Sequence, residues 1–283
     1  MRARWRWAAG WRGLVLLAGL LSLWEVLPRL GWVDPVLLPP FSRVVVRLAT
    51  LAGSGALWRH AGASLGRVLS GYGLSLAVAL PLGFYLGLSE RAEQFARLTV
   101  QLLRPLAPPA WIPLALLWFG IGNPPAVFII FVGTVLTVLV GTIAAVRGVD
   151  KRLVQAALTL GAGRFRATLE VLLPAALPEL LTLVRLGMGL AWMCVVAAEM
   201  VAVRQGLGFL ILEARNTFST DTVLAGMLAI GLVGLGLDLL LRLLQRRLLR
   251  WQSGRKAYEL LGDPGAGQGL WRGGAGAGSH PLD

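Results

Sequence analysis

The chain has 283 residues, of which 56% are hydrophobic and only 14% charged, and a formal net charge of +13. A soluble domain is roughly 45–50% apolar and about a quarter charged, so the excess apolar surface has to face lipid or other membrane helices, which weighs against a soluble enzyme. The positive charge does not form a nucleic-acid footprint: Arg and Lys crowd into the N-terminus and into short segments between apolar runs, as in the cytoplasmic loops of membrane proteins.

In chain order, Arg2, Arg4, Arg6 and Arg12 precede an apolar stretch over about 13–30 that contains Glu25. No small-x-small cleavage site follows it, so it reads as a retained first span rather than a removed signal peptide. The segment of about 31–63 is external. Within it, 42–51 places Val45, Leu48 and Ala49 on one face and Arg43 and Arg47 on another, the pattern of a short interfacial helix. An uncharged run over 68–89 makes the second span. Residues 105–146 are also uncharged and suffice for two spans of about 20 residues each, separated by the turn Gly120-Ile121-Gly122-Asn123-Pro124-Pro125. A fifth span over about 180–203 carries Arg185 and Glu199, and a sixth over about 222–241 carries Asp238. The expected architecture is therefore all-α and polytopic, with six transmembrane helices. Gly83 with Gly87, and Gly187 with Gly189, have the spacing of tight helix packing. The single cysteine, Cys194, lies in an apolar run and reads as a packing residue.

If six spans alternate, Arg2–Arg12, then Arg91, Arg97 and Arg104, then Arg147, Lys151, Arg152, Arg164 and Arg166, then the basic run from Arg242 to Lys256 share one side. By the positive-inside rule that side is cytoplasmic and holds both termini. The chain divides into 1–36, N-terminal residues and first span; 37–63, a periplasmic segment; 64–252, a core of five spans with a loop near 150–178; and 253–283, a Gly- and Ala-rich tail expected to be disordered.

Several chemistries lack their residues. No glycine-rich loop ends in Gly-Lys-Ser/Thr, and the only lysines are Lys151 and Lys256, so the chain has no means of hydrolysing ATP alone. His60 and His280 are far apart, and no metal site is expected. Gly62-Ala63-Ser64-Leu65-Gly66 matches a hydrolase nucleophile elbow, but that motif needs a strand-to-helix turn, and here it opens a membrane span.

The cytoplasmic segment Val154-Gln155-Ala156-Ala157-Leu158-Thr159-Leu160-Gly161-Ala162-Gly163-Arg164-Phe165-Arg166, continuing through Val171-Leu172-Leu173-Pro174, reads as a short helix, a glycine break and a second basic amphipathic helix, then a proline that restarts the chain. Such a helix–break–helix projecting from a membrane suits docking of a soluble partner. Its spacing resembles the signature of the permease subunits of ATP-binding-cassette (ABC) importers: Ala156, Ala157, Gly161, Leu173 and Pro174 fall in register, Val171 stands for the usual Ile, and Gln155 replaces the family's glutamate. Trp118-Phe119-Gly120-Ile121-Gly122, Ala197-Ala198-Glu199-Met200 and Gly206-Leu207-Gly208-Phe209 are similar to the branch that imports sulfonates, taurine, nitrate and related solutes.

The resemblance covers about 37–251 and implies a type I importer permease of the bacterial inner membrane. Its residues Gln155, Ala156, Ala157, Gly161, Ala162, Gly163, Arg164, Phe165, Leu173 and Pro174 would form the coupling segment. Its implied partners are a second permease copy, two cytoplasmic ATPase subunits that bind the ATP and Mg, and a periplasmic solute-binding protein, in a lipid bilayer and without nucleic acid; this chain itself would carry no cofactor. Arg185, Trp192 and Glu199 on the fifth span are the candidates for the translocation path, although Arg185 also suits snorkelling to the cytoplasmic interface and Glu199 suits bonding to neighbouring helices or binding-protein loops. Asp238 suits a structural pairing with Arg242 one turn on. The solute expected from the resemblance is alkanesulfonate or taurine, with nitrate, bicarbonate or a pyrimidine-type precursor as alternatives. An ATPase-independent secondary transporter is the rival reading; the chain shows no internal repeat that would favour it.

Overall fold

The computed structural model describes residues 2–249, with side chains from residue 15 onward. The described residues contain helices and no strand. The first unit, Met1–Leu241, holds the bundle; a second, Arg242–Asp283, contributes only the end of the last helix to the described residues, and the expected tail over 253–283 lies outside them.

The helices are α1 (Arg2–Arg29), α2 (Phe41–Gly53), α3 (Ala56–Leu88), α4 (Glu90–Leu103), α5 (Ile112–Phe119), α6 (Asn123–Arg147), α7 (Lys151–Thr159), α8 (Arg164–Ala167), α9 (Leu173–Ala202), α10 (Leu207–Asn216) and α11 (Thr220–Leu248). A 3₁₀ turn over Pro108–Trp111 leads into α5, and a π turn over Thr168–Leu172 joins α8 to α9. Local chemistry sets several of these boundaries. Ser89 caps α4 by accepting the Ala92 N–H, with Glu90 and Glu93 in the first turn to complement the helix dipole. Asp150 caps α7 by accepting the Arg152 N–H at 2.9 Å. Pro124 and Pro125 open α6, where a missing N–H costs nothing.

Helix directions follow from which residues meet. A Cβ on Gly71 would lie 2.8 Å from Ile130 Cβ, one on Gly83 2.7 Å from Thr142 Cβ, and one on Gly87 2.8 Å from Val146 Cβ. The partner numbers rise together at a constant offset, so α3 and α6 run parallel, their backbones brought close by glycines as the spacing of Gly83 and Gly87 predicts. Gly133 meets Cys194 while Gly141 meets Leu183, so α9 is antiparallel to α6. Trp192 Nε1 donates to Ile230 O at 3.2 Å and Arg185 Nε to Asp238 Oδ1 at 2.5 Å, so α11 is antiparallel to α9. Of the second glycine pair, Gly187 packs on the Tyr72 ring, whereas Gly189 faces open space.

Two parallel helices in one bundle require a return crossing between them. Between them in the chain lie α4 and the segment Pro108–Phe119, which bend by 83° at the intervening break. The start of α4 is level with the end of α6, because Glu93 Oε2 pairs with Arg147 Nη1 at 3.0 Å. Pro108, beyond the end of α4, sits against Gly133 in the middle of α6. The uncharged run suggested a span from Pro105; the chain is already helical over Glu90–Leu103, ahead of that run. Among the described residues, four helices are long and apolar enough to cross a membrane, or five if the bent pair is one span. The expected first span lies in α1, whose side chains are described only in part.

The core lies where α3, α6 and α9 meet, around Val68, Tyr72, Ile130, Val138, Ala191 and Val195. One end of the bundle carries α2, α5, α10 and the N-termini of α3 and α6; the other carries α7 and α8. The α2 helix forms as expected, with its inner face rotated: Val44 and Leu51 are buried and Arg47 Nε donates to Thr222 Oγ1 at 2.9 Å, whereas Val45 is exposed. Packing against α10 and α11, rather than against the membrane surface alone, selects that face. Glu25, which had no role from sequence, accepts the Ser42 N–H and hydroxyl at 2.9 and 2.8 Å and so fixes the start of α2 to α1.

Candidate functional site

Glu199 lies one turn before the end of α9, fully buried. The chain then turns through Gly206 (φ +143°) into α10, which folds back against α9. A side chain at Gly206 would collide with the Glu199 carboxylate, so only glycine permits this approach. Four groups converge here. Arg67 Nη1 from α3 donates to Glu199 Oε1 at 2.5 Å, and Ser64 Oγ and the Gly208 N–H both donate to Oε2 at 2.9 Å. Ser64 Oγ in turn accepts the Leu207 N–H at 2.9 Å. Arg67 Nε reaches Asn123 Oδ1, the first residue of α6, at 2.8 Å. His60 Nδ1 lies 3.1 Å from the Gly206 N and 2.9 Å from its O, with its ring stacked on Phe209.

A buried charge has to be paired and hydrogen-bonded, and this carboxylate is both. The cluster ties α3, α6, α9 and α10 together at one end of the bundle. It also disposes of the hydrolase motif: Ser64 is spent on Glu199 and Leu207, on a helix, and His60 addresses Gly206 instead. Arg67, Ser64 and Asn123 were missed as a group from sequence. The available signal was an arginine at the very edge of an apolar run, where snorkelling offers an easier explanation than burial.

The other fifth-span candidates are also engaged. Arg185 pairs with Asp238 on α11, both about one-third exposed, at 30% and 33%. This is a partner from another helix, which the spacing to Arg242 did not reveal. Trp192 is buried and its indole N–H is held by the Ile230 carbonyl. The face of α9 left exposed is apolar instead: Leu186, Leu190 and Met193.

At the opposite end, α7, Gly161 and α8 form the expected helix–break–helix. Gly161 has φ +89°, and its N–H bonds to Leu158 O while the Ala162 N–H bonds to Ala157 O, both at 3.0 Å. That is a Schellman stop, which demands the left-handed conformation glycine supplies. Gln155, Ala156, Gly163, Arg164 and Phe165 are exposed, and Ala157 and Ala162 half-buried. Leu160 at 88% and Phe165 at 79% exposure are large apolar side chains without cover. Ala167 and Leu172 anchor the segment inward. Leu173 and Pro174 do not restart the chain: α8, the π turn and α9 continue as one 39-residue helix, Arg164–Ala202. The π turn absorbs the hydrogen bond that Pro174 cannot donate, so the proline adjusts the helix without breaking it.

Residues 79–250 match the family model described as binding-protein-dependent transport system inner membrane component. The chain is 41% identical to a protein of Methanocaldococcus jannaschii named as an ABC transporter permease protein, over 84% of this chain and 87% of that one. It is 37% identical to the taurine transport system permease protein of Escherichia coli (strain K12), over 89% and 94%. It is 35% identical to a Bacillus subtilis (strain 168) protein named as an aliphatic sulfonates transport permease protein, over 88% and 90%. Its fold is similar to that of a chain in the inward-facing MetNI methionine ABC transporter, with a TM-score of 0.61 and 17% identity over 70% of this chain and 97% of that one. Membership in the matched family implies ATPase partners and a substrate-binding protein. The chain therefore belongs to the inner-membrane components of binding-protein-dependent transport systems, as a multi-pass, non-catalytic permease subunit.

Proposed function

We propose that this chain moves an alkanesulfonate or taurine across the membrane by alternating access, as one of two identical copies, each driven by a separate ATPase docked on the segment from Lys151 to Ala167. The observation that carries the reading is that segment: a capped helix, a Schellman stop at Gly161 and an apolar tip of Leu160 and Phe165, all held outside the bundle. Exposed apolar tips on a rigid base are what a partner's groove can grip, and a force applied there passes directly into the continuous helix Arg164–Ala202. Gln155 offers a hydrogen bond where a glutamate would offer a charge.

In this reading the bundle crosses the membrane six times, with α1 as the first span and α4–α5 as the third. The end bearing α7 and α8 is cytoplasmic together with both termini, and the end bearing the Glu199 cluster is periplasmic, where the binding protein delivers solute. Arg185, Trp192 and Glu199 hold the walls of the path in register through their bonds to α11, α3 and α10, and the apolar face of α9 borders the path itself. The two-state element is the bundle, biased from one end by nucleotide and from the other by the loaded binding protein. The sulfonate assignment draws on the relatives named for taurine and aliphatic sulfonates.

A strain lacking the gene, grown on butanesulfonate, taurine, sulfate or nitrate as the sole source of sulfur or nitrogen, tests the solute. Loss of growth on the two sulfonates alone, restored by the wild-type chain, is the expected result; undiminished growth on all four would move the solute to another class.

A further inference from the structure

Between α4, the Pro108–Trp111 turn, α6 and α9 lies a cavity of about 650 Å³, within the range of small-molecule sites. Its walls are mostly apolar, with Val132, Leu190 and Met193 among them, and it opens beside the exposed face of α9. Three polar side chains line it: Arg104, Thr137 and Trp111. None of the three makes a side-chain hydrogen bond or ion pair among the described residues. Glu25, Arg67, Arg185 and Glu199 all have side-chain partners, whereas Arg104, itself exposed, has none.

The α4 helix starts level with Arg147, and Pro108, beyond its end, sits against Gly133 in the middle of α6. Arg104 lies on the short stretch between, exposed and on the wall of the cavity. Arg97 and Gln101 precede it at helical spacing on the same face, both exposed, making a polar stripe from the cytoplasmic end up to the cavity. An arginine without a partner on the wall of an apolar cavity is costly unless it faces water and serves a ligand.

We propose that Arg104 is the anion-binding residue of a transient solute site in this cavity, and that the site takes an organic anion with a hydrocarbon part in preference to a bare inorganic one. The guanidinium matches two oxygens of a sulfonate in a bidentate arrangement. Thr137 and the Trp111 N–H supply further donors, and the apolar wall receives the alkyl chain. The proposal rests on the import reading above and specifies the solute contact within it. It shifts that contact from Arg185, whose charge Asp238 already neutralises, to a residue on the preceding crossing.

The test uses the complete complex, with its ATPase and binding protein, in lipid vesicles, following uptake of labelled butanesulfonate. Wild type imports it. Arg104→Gln should lower uptake about tenfold or more at limiting solute, the loss of one charge-assisted contact, while co-purifying with the ATPase and keeping its basal hydrolysis. Arg104→Lys, which keeps the charge but not the two-pronged fork, should lose less than Arg104→Gln, and Thr137→Val should lose a few-fold. Equal uptake by Arg104→Gln and wild type would overturn the assignment, as would equal losses in the Gln and Lys variants, which would mark a role independent of charge. Failure of the wild-type complex to import butanesulfonate is a different result and sinks the import reading first.

Discussion

Glu199 on α9 and Arg67 on α3 meet as an ion pair, Oε1 to Nη1 at 2.5 Å, with the carboxylate fully buried and the arginine 7% exposed. The pair does not stand alone, because Ser64, Gly208 and Asn123 satisfy its remaining bonds. Removing one member of such a pair leaves an uncompensated charge in a medium that cannot solvate it, a penalty of about 3–5 kcal/mol. Glu199→Gln, which keeps the shape and an acceptor, is therefore expected to lower the detergent melting temperature sharply, and Arg67→Met with Glu199→Met to cost less than the two single changes combined. A melting curve for Glu199→Gln close to wild type would show that the pair is dispensable for stability.

The glycines of α3 separate packing from propensity. A Cβ at Gly71 falls 2.8 Å from both Ile130 Cβ and the Val127 carbonyl, whereas one at Gly73, on the same helix, meets nothing within 4 Å. Gly71→Ala should destabilise by ~1–3 kcal/mol through overpacking of the parallel α3–α6 seam. Gly73→Ala should be neutral or slightly stabilising. Thermal shifts of the two variants, measured side by side, check the claim.

At the docking segment, Gly161→Leu forces a branched side chain into a left-handed turn, and Phe165→Ala removes the apolar tip without touching the backbone. Both should insert into the membrane at wild-type levels yet lose most of the ATPase on co-purification, Gly161→Leu more completely. Retention of the ATPase by Gly161→Leu would place the contact elsewhere.

Sidedness is open to a direct chemical assay, because the lone cysteine, Cys194, is buried. Phe165→Cys and Phe218→Cys each place a thiol where the native side chain is 79% and 88% exposed, at opposite ends of the bundle. In intact spheroplasts a membrane-impermeant maleimide should label the Phe218 variant and spare the Phe165 variant until the membrane is opened. The reverse pattern would invert the assigned orientation.

The residue pattern alone was enough for the membrane class, the apolar cores of the spans and the helix–glycine–helix of the coupling segment. Each depends on local composition or short spacing: lipid selects apolar runs wherever they occur, and a left-handed helix stop selects glycine at one position. Tertiary structure decided the rest. The partner of Glu199 is 132 residues away, and that of Arg185 53 away, separations no local window can join. The helix α4 was not legible because it mixes charged and apolar residues, and linear hydropathy averages both faces of a helix. Arg104 read as one more cytoplasmic charge for that reason, and only the tertiary structure brings it to the wall of the cavity beside α6 and α9.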